Sequence, residues 1–206
     1  MHSLHRTGTH MFWPFNRPER YDRLTRWIAG RLHRRVAADV AALDLPAGSR
    51  VLDVGTGPGR VPQLIAEGCP QLSVEGIDLS AEMIATARTL AAGSPVADRV
   101  AYVVGDVAAL PYPDDSIDLV VSTMSQHHWP DLPASLRELR RVVRPDGRIW
   151  IYDARIALRT AETTARELFP DAAVHREVVR SGRFPIHLVG RLVVDRGVRE
   201  HAPLRP

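Results

Sequence analysis

Residues 50–60, Arg50-Val51-Leu52-Asp53-Val54-Gly55-Thr56-Gly57-Pro58-Gly59-Arg60, decide how the rest of the chain is read. An apolar, β-prone run ends in Asp53-Val54, and three glycines at alternate positions follow at once and open onto a helical pattern. Glycines placed in this way let the backbone turn sharply and approach a ligand at a helix N-terminus, where unpaired N–H groups point outward. The dinucleotide fingerprint GxGxxG would need a glycine at position 60, where Arg60 stands.

From this loop outward, residues 50 to 153 alternate apolar runs with helical stretches, the pattern of a parallel sheet with crossover helices. Strands are expected at 50–54, 72–77, 100–104, 117–122 and 148–153, and helices at 60–67, 81–91 and 133–143. The strand runs are mostly apolar rather than alternating, as expected of strands covered on both faces. Ser80 suits an N-cap, Pro133 a first helical turn, and Asp146-Gly147 a turn into the fifth strand. Beyond Asp153 the pattern predicts a helix at 158–168. Two β-rich runs follow, 173–179 and 186–194, separated by Ser181-Gly182 and read as an antiparallel hairpin. Upstream, Leu24, Trp27, Ile28, Leu32, Val36, Val40 and Leu43 recur at helical spacing and predict an amphipathic helix over 19–43.

Acidic residues recur where strands end. Asp53 closes the first, Asp78 the second, 19 positions after Gly59, and Asp106 follows the third. Ligands of open α/β sheets bind beyond the carboxyl ends of the strands, and a carboxylate at the second strand can accept both hydroxyls of a ribose. Each aspartate alone also reads as a turn or cap residue; the recurrence after three successive strands favours one shared site.

With these residues in view, the chain resembles the class I S-adenosylmethionine-dependent methyltransferases, in particular the small-molecule subgroup that includes the ubiquinone and menaquinone methyltransferases. The resemblance covers residues 50 to 153. VLDVGTGPGR resembles the first motif, VEGIDLS the acidic second motif, VVGDVAALPYPDDSIDLVVS the third and fourth strands, and LRELRRVVRPDG the run into the fifth, with Asp146 where the family usually has a glycine. It implies a Rossmann-like, doubly wound α/β sheet of seven strands in the order 3-2-1-4-5-7-6, strand 7 antiparallel, which would account for the C-terminal hairpin. It also implies S-adenosyl-L-methionine as cofactor. Asp53, Gly55, Thr56, Gly57 and Gly59 would hold the methionine moiety, Asp78 the ribose, Leu79 and Met83 the adenine faces, and Asp106 with Val107 the adenine edge, with Ser122 also at the cofactor. An adenine-ribose ligand without a pyrophosphate fits the shorter glycine spacing.

The fourth strand runs into Ser122-Thr123-Met124-Ser125-Gln126-His127-His128-Trp129-Pro130. In related small-molecule methylases this loop borders the reacting methyl, so His127 and His128 are candidate general bases for a hydroxyl or phenol; equally, either histidine can simply pack within the loop. No metal site is expected, since adjacent histidines seldom ligate one ion. The loop lacks the Asn/Asp-Pro-Pro-aromatic run of base and glutamine amino-methylases and the cysteine of pyrimidine C5 methylases. Cys69 lies toward the opposite edge of the sheet and reads as an inert packing residue.

Composition narrows the chemistry further. The chain of 206 residues has ordinary globular composition, 45% apolar and 25% charged. All 27 basic residues are arginine, which removes the Walker A loop, pyridoxal Schiff bases and lysine general bases. The net charge of +3 is small for a nucleic-acid binder, and none is expected as partner. It is concentrated at the start: residues 1 to 35 hold eight arginines against Glu19 and Asp22. That segment also carries five of the twelve aromatics, Phe12, Trp13, Phe15, Tyr21 and Trp27. Residues 1–18 are therefore a flexible or lid-forming segment, although Trp27 also suits plain packing of the helix. The arginines suit a solvated face or contact with an anionic membrane surface. By the resemblance, residues 19–196 are expected to form one methyltransferase domain, with its N-terminal amphipathic helix across the cofactor end of the sheet, and 197–206 a flexible tail.

Neither a membrane-length apolar run nor a signal-peptide core is visible, so a cytoplasmic protein is expected, starting at Met1 or Met11. The expected activity is methyl transfer to an oxygen, nitrogen or carbon of a small, partly apolar metabolite. The rivals are a non-catalytic cofactor-binding or protein-interaction domain and a nucleotide-dependent oxidoreductase, the latter opposed by Arg60. The sequence leaves the oligomeric state open.

Overall fold

The computed structural model describes the backbone of residues 18–179 and 188–197, with side chains from residue 29 onward. Seven strands, β1 (Arg50–Val54), β2 (Ser73–Asp78), β3 (Val100–Val104), β4 (Ile117–Thr123), β5 (Val143–Ala154), β6 (Ala173–Val178) and β7 (Val189–Asp195), join in one sheet of order β3-β2-β1-β4-β5-β7-β6. The first five strands pair in parallel, and β7 runs antiparallel to both β5 and β6, which are the order and strand directions expected. Parallel pairing follows from the crossover helices α2 (Arg60–Gly68), α3 (Ala81–Ala92) and α4 (Leu132–Val142). The hairpin β6–β7 follows α5 (Ala157–Leu168).

Both sheet faces are covered, which is why the strands read as continuous apolar runs. On one face Leu52, Val54, Val120, Ile149 and Ile151 pack against Leu136, Leu139 and Val142 of α4 and Leu158, Ala161 and Ala165 of α5. On the other, Val51, Leu119, Val121 and Trp150 meet Val61 and Ile65 of α2 and Leu32, Val36 and Val40 of α1 (Pro18–Ala41). Cys69 is buried in this second cluster, where burial pushes its thiol up, in keeping with a packing role. Ser80 accepts the Met83 N–H as the N-cap of α3, and Asp131 accepts the Ala134 N–H at α4.

Polar contacts tie α1 to the far strands. The Tyr152 hydroxyl donates to Asp39 (2.9 Å) and accepts from Arg191 (3.1 Å), whose guanidinium also lies over the Trp150 ring at 4.4 Å and binds Glu177. Burial holds the Tyr152 phenol protonated, so it can donate to a carboxylate at any working pH.

Two expectations are corrected. Asp146-Gly147 is not a turn leading into the fifth strand but lies inside β5. Ile117 pairs with Val143 and Leu119 with Arg148, so the longer strand bulges, and a side chain at 147 would collide with Asp118 O at 2.9 Å. α1 does not lie across the carboxyl edge in its described side-chain region; it packs flat on the sheet face with α2, because its apolar stripe matches that face. Of the last expected run, 186–194, the described part forms β7 from Val189, and residues 186 and 187 lie outside the described residues. The side chains of Phe12, Trp13, Phe15, Tyr21 and Trp27, the Ser181-Gly182 turn and residues 198–206 lie outside the described residues. Among the described residues no helix is long and apolar enough to cross a membrane.

Candidate functional site

The carboxyl ends of β1, β2 and β3 bring Asp53, Asp78 and Asp106 to one edge of the sheet. Asp53 is 1% exposed, flanked by Gly76 of β2 and Val121 of β4. Thr56 Oγ1 donates to one of its oxygens at 2.6 Å; Oδ1 has no partner. Burial pushes the Asp53 carboxyl up to about 7, against the Thr56 hydrogen bond, with the nearby Asp78 charge adding to the rise.

The glycine loop is shaped by close approach. Gly55 has φ of 69°, and a Cβ there would fall 1.7 Å from Ser125 Oγ, so the loop after β4 rests directly on the loop after β1. Gly57, at φ of 54°, faces open space, while its N–H donates to Asp78 Oδ2 at 2.8 Å. The other Asp78 oxygen accepts the Ser80 N–H at 2.9 Å. A carboxylate can take about four hydrogen bonds, so acceptor capacity remains on Asp78 for a ligand hydroxyl. Gly59 packs on the Tyr102 ring, whose hydroxyl donates to Gly59 O at 2.8 Å. Asp106 Oδ1 accepts the Ala108 N–H at 2.9 Å. Leu79, 67% exposed, and Met83, 43% exposed, stand at this edge with their apolar surfaces free.

Two predicted site residues are placed differently from the rest. The Val107 side chain is in the core with Leu110 and Tyr112, so only its backbone can face the crevice. Ser122 is fully buried and its hydroxyl has no partner; Thr123 Oγ1 and Gln126 Oε1 beside it in sequence are also unpaired. Buried polar atoms left unpaired cost free energy. Four of them, on Asp53 of β1, on Ser122 and Thr123 of β4 and on Gln126 in the turn that follows, leave hydrogen-bonding capacity at this edge that a polar ligand can take up.

Beyond β4 the chain makes a short 3-10 turn, Gln126–His128. His127 Nδ1 lies 2.8 Å from Asp153 Oδ1 and 3.0 Å from Oδ2, and the His127 backbone N–H donates to Asp153 Oδ2 at 3.2 Å. Asp153, at the end of β5, is fully buried and also accepts the Ala154 N–H at 2.6 Å. His128 is exposed, its ring 4.0 Å from that of His127. Sequence reasoning missed Asp153 and Ser125. The signal for Asp153 was present, because β5 ends in an acidic residue just as β1 and β2 do. Around this end Met124, Ile156, Val178 and Leu188 leave apolar surface exposed.

Residues 52–151 match the family model described as a methyltransferase domain. The chain is 36% identical over 136 residues to the ubiquinone/menaquinone biosynthesis C-methyltransferase of Geobacter sulfurreducens, covering 65% of this chain and 53% of that one. It is 39% identical over 111 residues to the 27-O-demethylrifamycin SV methyltransferase of Amycolatopsis mediterranei, covering 54% and 40%. The chain thus spans about half the length of the curated relatives it matches. A crystal structure from Methanococcus maripaludis, described as that of an S-adenosyl-L-methionine-dependent methyltransferase, superposes with a TM-score of 0.67 at 17% identity, covering 89% of this chain and 94% of that one.

Proposed function

We propose that the chain, whose residues 52–151 match a methyltransferase-domain model, is a class I S-adenosylmethionine-dependent enzyme that transfers the methyl group of S-adenosyl-L-methionine to a small, partly apolar metabolite. The observation that carries this reading is the meeting of Asp53 and Asp78 at the open backbone of Gly57, with Asp106 just beyond the end of the neighbouring strand β3.

The cofactor, when bound, supplies a methyl group made electrophilic by a sulfonium. The residues present fit it. Asp53, with its unpartnered oxygen, would face the ammonium of the methionine moiety, and pairing with that cation would draw its raised pKa back down. Gly55, Gly57 and Gly59 would let the backbone approach, with Thr56 fixing Asp53. Asp78 would accept the ribose hydroxyls, Leu79 and Met83 would cover the adenine faces, and Asp106 with the Val107 backbone would meet the adenine edge. Ser122 would take part through its unpaired hydroxyl. The acceptor would lie against Met124, Ile156 and Leu188. Most of the acceleration would come from holding the two reactants at near-attack distance in a site that excludes water.

Calorimetric titration of the protein with S-adenosylhomocysteine and with NADH tests this reading. Micromolar binding of the first alone, weakened at least about tenfold in Asp78→Ala, is the expected result. Binding of NADH instead would overturn it in favour of an oxidoreductase.

A further inference from the structure

Resting on that reading, we infer that His127, and not His128, is the general base of this site, that Asp153 positions it, and that the acceptor atom is a hydroxyl oxygen on an apolar body. The two histidines are adjacent in sequence but differ in surroundings. Asp153 is sealed at the end of β5, where it accepts the N–H groups of both His127 and Ala154. A carboxylate held in this way is an acceptor only, so the ring nitrogen 2.8 Å from it must be the protonated one. That fixes the Nδ1–H tautomer and leaves Nε2 with a bare lone pair. Nε2 has no hydrogen-bond partner among the described residues, and the side chain is 35% exposed. Asp153 makes no such bond to His128, whose tautomer is therefore left to solvent.

Position agrees with this role. The 3-10 turn that carries His127 is preceded by Ser125, which touches Gly55 of the cofactor loop, and it is bordered by the exposed Met124. The base therefore stands between the glycine loop and the apolar rim of Ile156 and Leu188 at the ends of β5 and β7. Proton balance then selects the acceptor. A hydroxyl is a weak nucleophile until its proton is removed, and a neutral imidazole is suited to removing it near neutral pH. As the O–H bond breaks, the proton passes to Nε2. The oxygen pair forms the new bond to the transferred methyl carbon, and the pair of the broken C–S bond returns to sulfur. The imidazolium that results is stabilised by Asp153, which remains a carboxylate.

The test uses the full chain saturated with S-adenosylhomocysteine, and 4-nitrophenol as a hydroxyl probe whose ionised form absorbs separately. At a pH where the free probe is mostly protonated, the complex should show a phenolate band. The band should fall to the free-probe level in His127→Gln, weaken in Asp153→Asn and persist in His128→Gln. Calorimetric affinity for S-adenosylhomocysteine should stay within about twofold in all three variants, since none of these side chains is placed at the cofactor. Nitrogen NMR of labelled histidine should find His127 protonated at Nδ1 and bare at Nε2, shifting toward the other tautomer in Asp153→Asn. A band that survives His127→Gln, a band lost equally in His128→Gln, no band at all, or an Nε2–H tautomer would each overturn the inference while leaving the cofactor reading intact. Failure of the parent protein to bind S-adenosylhomocysteine would overturn both.

Discussion

The carboxyl edge of this sheet has two halves built on different principles. Across β1, β2 and β3 the functional groups are held by backbone: Asp78 is fixed by the N–H groups of Gly57 and Ser80, Asp106 by that of Ala108, and the loop turns on positive-φ glycines. Across β4, β5 and β7 side chains hold each other, His127 on Asp153 and Trp129 on Ser125, amid unpaired hydroxyls and exposed apolar surface. On the proposed function, the first half is preorganised by its backbone for the cofactor, and the second frames the acceptor with side chains.

The sharpest way to break this contrast is at Gly55, where the two halves touch. Gly55→Ala places a methyl group 1.7 Å from Ser125 Oγ in a backbone region that alanine rarely adopts. Strain and overpacking together should cost about 2–5 kcal/mol. Thermal unfolding should show the loss, and affinity for S-adenosylhomocysteine should fall with it. An unchanged melting temperature would mean that the two loops move independently.

Next in size is Asp78→Ala, which removes the acceptor for two backbone N–H groups together with the proposed ribose contact. Hydrogen bonds to a charged group are worth about 1.5–3 kcal/mol, so calorimetric affinity should fall about 10- to 150-fold, with a modest drop in stability. A fall in stability without a fall in affinity would make Asp78 a loop brace and move the ribose elsewhere.

The same contrast explains what could be read in the sequence. The cofactor half is made by local rules, a strand, a glycine turn, a helix start and an acidic residue at the next strand end, so Asp53, Gly57 and Asp78 were legible from spacing. The sheet order entered with the family resemblance, since periodicity gave the strands but not their neighbours. The acceptor half depends on contacts across the fold. His127 and Asp153 lie 26 residues apart, and only the parallel pairing of β4 with β5 brings them together. The bulge at Gly147 escaped for a similar reason, because Asp-Gly signals a turn locally whereas β4 continues the pairing on either side of it.

Asp53 stands at the boundary of the halves and should show function opposing stability. Its carboxyl is pushed up to about 7 by burial, whereas in the unfolded chain it ionises near the ordinary aspartate value, about 3.9. The folded form thus binds the proton more tightly. Stability is penalised as pH rises from about 4 to about 7, and the penalty, up to about 4 kcal/mol, is complete above that. Asp53→Asn should therefore raise the stability of the ligand-free protein at pH 8 by about 1–2 kcal/mol after the cost of a new unpaired amide, read as a higher melting temperature. That gain should disappear or reverse at about pH 5, where the penalty on Asp53 is only about 1.5 kcal/mol, while affinity for S-adenosylhomocysteine falls. A variant less stable than the parent at pH 8 would show that the Asp53 charge is already compensated without a ligand.

The smallest effects are expected on the acceptor rim, and their smallness is the point. Ile156 and Leu188 are 77% and 75% exposed, so Ile156→Ser and Leu188→Ser remove little buried area. Each should move stability by no more than about 0.5 kcal/mol and leave affinity for S-adenosylhomocysteine unchanged, because neither side chain is near the glycine loop. Large apolar side chains left in water contribute little to the fold, and beside a base they are explained by what they cover when a ligand arrives. The phenolate band of bound 4-nitrophenol reads that directly: both substitutions should weaken probe binding without shifting the melting temperature. A loss of stability above about 1 kcal/mol would instead assign these residues to packing, and the acceptor half would then be as rigid as the cofactor half.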